Sequence, residues 1–241
     1  MSLSGKTIIV TGAAKRIGRY LALTLADAGA NIVLQYSQSK DEALLTAEEI
    51  EKKGVKAFLY QVEFSNEENV KVFIEDVLNM TDIYGLVNNA SIFESATFGS
   101  TTIDAWQRHL NINLTAPFIL SQCFGFRNKG VRKGRIVNIL DWRAIRPGED
   151  HFAYTISKSA LGSMTLSMAQ ALAPDITVNG LALGAILPPI DGADHEKLIQ
   201  NVPAKRWGKL EEVGEALLFL MDGPEFITGE ILHIDGGRHL T

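Results

Sequence analysis

From residue 7 to residue 88 the chain alternates between two patterns, and this alternation limits its fold more than any other feature. Thr7 to Val10, Asn31 to Gln35, Ala57 to Val62 and Gly85 to Asn88 are short apolar, β-branched runs that read as strands. Between them, Ile17 to Ala28, Lys40 to Lys53 and Glu67 to Met80 carry apolar residues at every third and fourth position, the period of a half-buried helix. Strands joined by helical crossovers must run parallel, and a parallel sheet is covered on both faces. The second half continues the pattern with helical stretches at Ile103 to His109 and Ile112 to Asn128 and a strand at Arg135 to Leu140. A long helix from Ala153 to Ala173 stops ahead of Pro174, and strands follow at Thr177 to Leu181 and Ile231 to Ile234. The expected fold is α/β, one doubly wound domain over residues 1–241, with seven parallel strands, helices on both faces and ligands at the carboxyl ends of the strands.

The 241 residues are 46% apolar, enough for a single large core. The net charge of −5 comes from intermixed acids and bases, so neither nucleic acid nor an anionic membrane is expected as a partner. Cys123 is the only cysteine, which precludes an internal disulfide and a thiolate metal cluster and fits a reducing compartment. No secretory signal pattern and no apolar stretch near ~18 residues is present, so the expected location is cytoplasmic and no metal is expected. Residues 184–209, irregular and containing Pro188, Pro189 and Pro203, read as a substrate lid, or alternatively as a plain surface insertion.

The first strand leads directly into Thr11-Gly12-Ala13-Ala14-Lys15-Arg16-Ile17-Gly18 and then a helix. A glycine at the strand exit lets backbone approach a pyrophosphate, and the free N–H groups of the helix start point at it. Only Gly12 and Gly18 of a three-glycine fingerprint are present, with Arg16 between them. Lys15 and Arg16 oppose the helix dipole unless an anion lies there. After the second strand, Gln35-Tyr36-Ser37-Gln38-Ser39 offers no carboxylate to bind ribose hydroxyls or repel a 2′-phosphate, which favours NADP(H) over NAD.

Tyr154 and Lys158 are four apart in the long helix and share a face, where an ammonium lowers a phenol's pKa and suits it to acid/base work. Together with Thr11-Gly12, Gly18, Asn88-Asn89-Ala90, Asn113, Val178-Asn179 and Asp235-Gly236-Gly237, this pair resembles the short-chain dehydrogenase/reductase superfamily over nearly the whole chain. The resemblance implies a Rossmann-type fold, Tyr154 as proton donor or acceptor, Lys158 tuning it and holding the nicotinamide ribose, and Asn113 supporting a water relay. It also implies cofactor contacts at Gly12, Lys15, Arg16, Ile17, Gly18, Tyr36, Ser37, Glu63, Phe64, Asn89, Ala90, Ser91, Tyr154, Lys158, Gly184 and Ile186, and a homotetramer or dimer.

Where most members place a serine, thirteen residues before the tyrosine, this chain has Asp141. An ionised aspartate only accepts hydrogen bonds, so it is a poor partner for the alkoxide formed from a ketone. It suits a ring that presents N–H groups or a nitrogen that must gain a proton. Aspartate at this place, the stretch from Thr11 to Gly18, Asn88-Asn89-Ala90-Ser91-Ile92-Phe93 and the ending Asp235-Gly236-Gly237-Arg238-His239-Leu240 are similar to the pteridine and dihydromonapterin reductases. That resemblance implies a pterin substrate stacked on Phe93 and touched by Arg16, Ser91, Asp141 and Tyr154. Two features depart from it: Gln38 replaces a basic residue, and Leu183 replaces the proline usual before Gly184. Phe93 could instead plug the core, and Asp141 could cap its loop or pair with Arg143 or Arg146. The histidines, His151 among them, read as solvated or structural, and Trp106, Trp142 and Trp207 as packing residues, with a place in the pocket wall as the alternative for Trp142 and Trp207. A ketone or 3-oxoacyl reductase and a catalytically inert NADP(H)-binding regulator are the alternatives to pterin reduction.

Overall fold

The computed structural model describes residues 3–187 and 199–241. Its sheet contains β1 (Thr7–Val10), β2 (Asn31–Tyr36), β3 (Ala57–Gln61), β4 (Ile83–Asn88), β5 (Gly134–Asp141), β6 (Ile176–Leu183) and β7 (Ile231–Ile234). The spatial order is β3-β2-β1-β4-β5-β6-β7 and every pairing is parallel. The chain winds outward in one direction from β1 to β3 and in the other from β4 to β7, so the crevice between β1 and β4 is the switch point at which such sheets bind ligands.

The pleat explains the two-sided core. Ile8, Val10, Ile32 and Leu34 pack against one helical layer, while Ile9 and Val33, the residues between them, pack against the other. The first layer is built on α1 (Arg16–Asp27) through Leu21 and Leu25. The second is built on α3 (Glu67–Met80), α5 (Ala116–Asn128) and α6 (Phe152–Leu172), through residues such as Phe73, Phe124 and Leu172. α2 (Lys40–Lys52) covers the β2 and β3 edge of the first layer through Ala43 and Ile50.

Three features differ from the sequence expectation. β5 and β6 run longer than their apolar stretches, and Asp141 pairs with Leu183 at the carboxyl edge of the sheet. The two helical stretches between β4 and β5 form one continuous run: α4 (Ile103–Leu110), a π-helical turn at Asn111–Thr115, then α5. Pro117 has no N–H to give the carbonyl four residues back, so ordinary α-helical bonding cannot close across residue 113. A further helix, α7 (Leu210–Asp222), was not foreseen. Its Val213, Leu217 and Met221 join the first core layer, and Gly214 lets it approach Tyr20 and Thr24 of α1. Glu212 starts it by accepting from the Lys209 N–H and pairing with Arg206.

The lid expected over 184–209 lies partly outside the described residues, at 188–198. Among the described residues, no helix is long and apolar enough to cross a membrane.

Candidate active site

A cleft of about 830 Å³ opens over the carboxyl ends of β1 and β4. One wall is the turn after β1, where Gly12 lies at φ +62° and its N–H donates to the Gln35 side chain at 2.8 Å. A Cβ on Gly18 would collide with the Gly12 carbonyl oxygen and the Asn89 amide, so only glycine closes this turn. Arg16 occupies the place of the missing third glycine and adopts the left-handed conformation, φ +54°, that a glycine would take without strain. A non-glycine residue there costs about 1–2 kcal/mol. That cost sets a guanidinium beside the free N–H groups of α1, where Lys15 also lies.

The opposite wall is tied to this turn. Asn89 donates from its side chain to the Thr11 and Gly12 carbonyls at 2.8 and 3.2 Å. The Thr11 hydroxyl accepts the Asn89 and Ala90 N–H groups, both at 2.9 Å. Further along, Asn113 clamps Ile92: its amide donates to the Ile92 carbonyl at 3.0 Å and accepts the Ile92 N–H at 2.9 Å. Phe93 follows directly and is 54% exposed, which excludes a core-plugging role.

At the inner end of the cleft the Tyr154 hydroxyl donates to Asp141 Oδ2 at 3.1 Å, while Asp141 Oδ1 accepts the Arg143 N–H at 2.9 Å. Asp141 thus both caps its loop and reaches the phenol, with Arg143 3.8 Å away as a loose ion partner. The Lys158 ammonium is buried, donates to the Ile139 carbonyl at 2.8 Å and sits 5.8 Å from the Tyr154 ring centre. Burial pulls Lys158 down to about 8, with the Asp141 charge opposing the fall. Burial also raises the Asp141 carboxyl, although Arg143 and Tyr154 act against the rise. The lowered phenol expected from the Tyr154 and Lys158 spacing is not found: burial and the adjacent Asp141 charge lift Tyr154 well above its ordinary value. A carboxylate in contact has displaced the lysine as the dominant neighbour.

Comparison with known proteins bears on this constellation. A family profile described as enoyl-(acyl carrier protein) reductase matches residues 12–239. The chain belongs to the short-chain dehydrogenase/reductase superfamily. A 3-oxoacyl-[acyl-carrier-protein] reductase, FabG, of Aquifex aeolicus is 34% identical over 98% of each chain. The 2-dehydro-3-deoxy-D-gluconate 5-dehydrogenase of Bacillus subtilis is also 34% identical, over 98% of this chain and 95% of its own. Among solved structures, FolM alternative dihydrofolate reductase 1 from Brucella suis, in complex with NADP, superposes with a TM-score of 0.90. It is 32% identical over 98% of this chain and 96% of its own. Relatives with different substrates are equally near, so the choice among them rests on individual residues.

In this short-chain dehydrogenase/reductase most of the anticipated cofactor positions line the cleft: Gly12, Lys15, Arg16, Ile17 and Gly18 on one side, Tyr36, Ser37, Glu63 and Phe64 at the far end, Asn89, Ala90 and Ser91 opposite. Phe93 and Tyr154 line it too. Lys158, Gly184 and Ile186 are not among the lining residues, Lys158 being buried behind Tyr154. Gly184 is pressed against Asp235, leaving no room for a side chain, and Ile186 is buried beside a second, smaller cavity.

The stretch Gln35–Ser39 holds no carboxylate, but one reaches the ribose end from the neighbouring strand, at the anticipated cofactor residue Glu63. β2 and β3 lie side by side, so the exit of β3 brings Glu63 to Ser37, whose hydroxyl donates to it. Of the two readings for His151, solvated or structural, the geometry fits the second. Its ring stacks on Phe93 at 3.9 Å between centres and 6° between planes, and it pairs with Asp150 at 3.0 Å. A lone histidine three residues before a tyrosine carries no sequence signal for such a contact, because Phe93 comes from the exit of β4, far away in the chain.

Proposed function

We propose that this enzyme reduces a dihydropterin, such as dihydromonapterin, dihydrobiopterin or dihydrofolate, to its tetrahydro form with NADPH. The observation that supports this most is the 3.1 Å contact between Asp141 and the Tyr154 hydroxyl at the edge of the exposed Phe93 ring. A ketone would develop negative charge on oxygen beside that carboxylate, a repulsive arrangement, whereas a ring nitrogen develops a need for a proton.

The chain has features that fit the coenzyme. Gly12 and Gly18 leave a side-chain-free cradle, and Lys15 and Arg16 form no ion pair among the described residues. When bound, NADPH supplies the hydride that adds to the carbon of the ring C=N bond. Phe93 offers a flat face to the heterocycle. His151 covers the other face and holds the ring in place. Asp141 accepts from the N–H groups of the ring and from the Tyr154 hydroxyl, and Tyr154 gives its proton to the ring nitrogen as hydride reaches the adjacent carbon. Lys158 supplies the nearby positive charge that offsets the phenolate. Asn113 acts through Ile92, fixing the strand-exit loop that carries Phe93.

Reduction of 3-oxoacyl thioesters is the second reading, favoured by the FabG relatives. NADPH consumption measured side by side with dihydropterins and with 3-oxoacyl thioesters separates the two: turnover confined to the thioesters would overturn the pterin assignment. For assembly, we propose a homotetramer or dimer formed over α5 and α6, which expose Phe118 and Leu166. Sedimentation of wild type and Phe118→Glu tests it, with a monomeric wild type as the contrary result.

A further inference from the structure

Beyond Asp141 the rim of the site gathers positive charge that the proposed chemistry does not use. The short 3₁₀ turn Trp142–Ala144 and the C-terminal 3₁₀ turn Arg238–Leu240 meet there. They bring two guanidinium groups to one indole: Arg143 Cζ lies 4.8 Å and Arg238 Cζ 4.9 Å from the Trp142 ring centre. Arg143 also lies 5.7 Å from the Phe93 ring, so the cluster adjoins the surface proposed to hold the heterocycle.

The nearby acids are already engaged. Asp150 is held by Arg143 at 2.8 Å and His151 at 3.0 Å, and Asp141 by Tyr154 and the Arg143 backbone. Arg238 forms no ion pair among the described residues, and its Nη1 is buried without a hydrogen-bond partner, as is Nε of Arg143. A buried guanidinium nitrogen with nothing to donate to is costly, and two around one indole are more so. Burial and the charges of Arg143 and Arg146 push Arg238 below the usual arginine range, with the Asp150 charge opposing the fall. An anion between them would satisfy the orphaned donors and relieve the repulsion, and guanidinium is the group best matched to carboxylate or phosphate.

We propose that Arg143 and Arg238, set on either turn around Trp142, form a subsite for an anionic group on the substrate's tail, so that the enzyme selects a pterin bearing a carboxylate or phosphate over a neutral one. This rests on the pterin reading, and it names the substrate class that reading leaves open.

The experiment compares wild type with Arg238→Gln and Arg238→Lys, since Arg238 touches neither Asp141 nor Tyr154. Three substrates are assayed with NADPH: dihydrofolate, which carries carboxylates, a phosphorylated dihydropterin, and dihydrobiopterin, whose tail is neutral. For Arg238→Gln the ratio of kcat/KM on the preferred anionic substrate to that on dihydrobiopterin should fall at least about tenfold, chiefly through KM, and Arg238→Lys should recover part of it. Whichever anionic substrate shows the selective loss identifies the source of the anion. Equal loss on all three substrates, or no loss on any, overturns the subsite while leaving pterin reduction intact. A wild type that consumes none of the three refutes the pterin reading itself. As a readout independent of turnover, p-aminobenzoylglutamate or inorganic phosphate should raise the thermal midpoint of wild type and not of Arg238→Gln. Equal shifts in both proteins would count against the subsite.

Discussion

Replacing Asp141 with serine restores the residue type usual at this place in the superfamily and removes one charged group from contact with the reacting corner. The bond at stake joins the Tyr154 hydroxyl to Asp141 Oδ2 at 3.1 Å in a buried setting. Hydrogen bonds to charged groups contribute about 1.5–3 kcal/mol, which corresponds to a loss of roughly 10- to 150-fold in kcat/KM for a dihydropterin. The charge change also has a signed effect on the pH profile. Asp141 now raises Lys158 against the pull of burial, holding it at about 8, so without the carboxylate Lys158 falls further and loses its proton at lower pH. It also raises Tyr154, so the phenol comes down in the variant. Both changes move the alkaline limb of kcat/KM toward acid. The assay is the initial rate of NADPH loss from pH 6 to 10, with NADPH affinity measured separately by fluorescence and expected to stay within about threefold, since no contact of the β1 turn involves Asp141. Dihydropterin turnover within twofold of wild type, with an unmoved alkaline limb, would refute the role given to this carboxylate.

Phe93→Ala should leave the unfolding midpoint nearly unchanged, because the ring is more than half exposed, yet raise KM for the pterin roughly tenfold through the loss of about 0.5–1.5 kcal/mol of stacking together with buried area. Equal damage to stability and KM would mean the ring is structural. Gly18→Ala should destabilise the fold by about 1–3 kcal/mol and abolish coenzyme binding, since the added methyl meets the Gly12 carbonyl, and a denaturant titration with and without NADPH reports both effects. Glu63→Gln removes the carboxylate beside Ser37 and should lower KM for NADPH about threefold to tenfold while leaving KM for NADH within twofold, as expected for about 1 kcal/mol of screened repulsion per unit charge. Kinetics with the two coenzymes at low salt decide it.

Much of this was legible in the chain because its signals are local. The 3.6-residue period of Glu67–Met80 and the β-branched run of Ile231–Ile234 coincide with the observed elements residue for residue. Strand ends are harder to read: Asp141 closes β5 as a charged residue just beyond the apolar run, yet it still pairs with Leu183 of β6. The helix at Leu210–Asp222 follows directly on a proline-rich irregular stretch and contains Gly214, so its start had no clear marker in the sequence. Contacts between distant strands could not be read at all. The pairing of Glu63 with Ser37, the stack of His151 on Phe93 and the meeting of Arg143 with Arg238 around Trp142 all depend on which strand ends become neighbours, a property of the wound sheet rather than of any segment.

The wide turn at Asn111–Thr115 bears on how tolerant this region is of length changes. A π turn accommodates one residue more than an α turn, so residues 103–128 behave as a rod into which a single amino acid has been spliced. Excising one residue from the turn would restore regular α-helical winding and leave the flanking helices close to their present phase, so the change would fall on the residues of the turn itself. Asn113 would then face away from Ile92, and point substitutions elsewhere in the rod could not bring it back. A one-residue deletion at this turn should therefore spare the packing of the rod and take away the Asn113 clamp on Ile92.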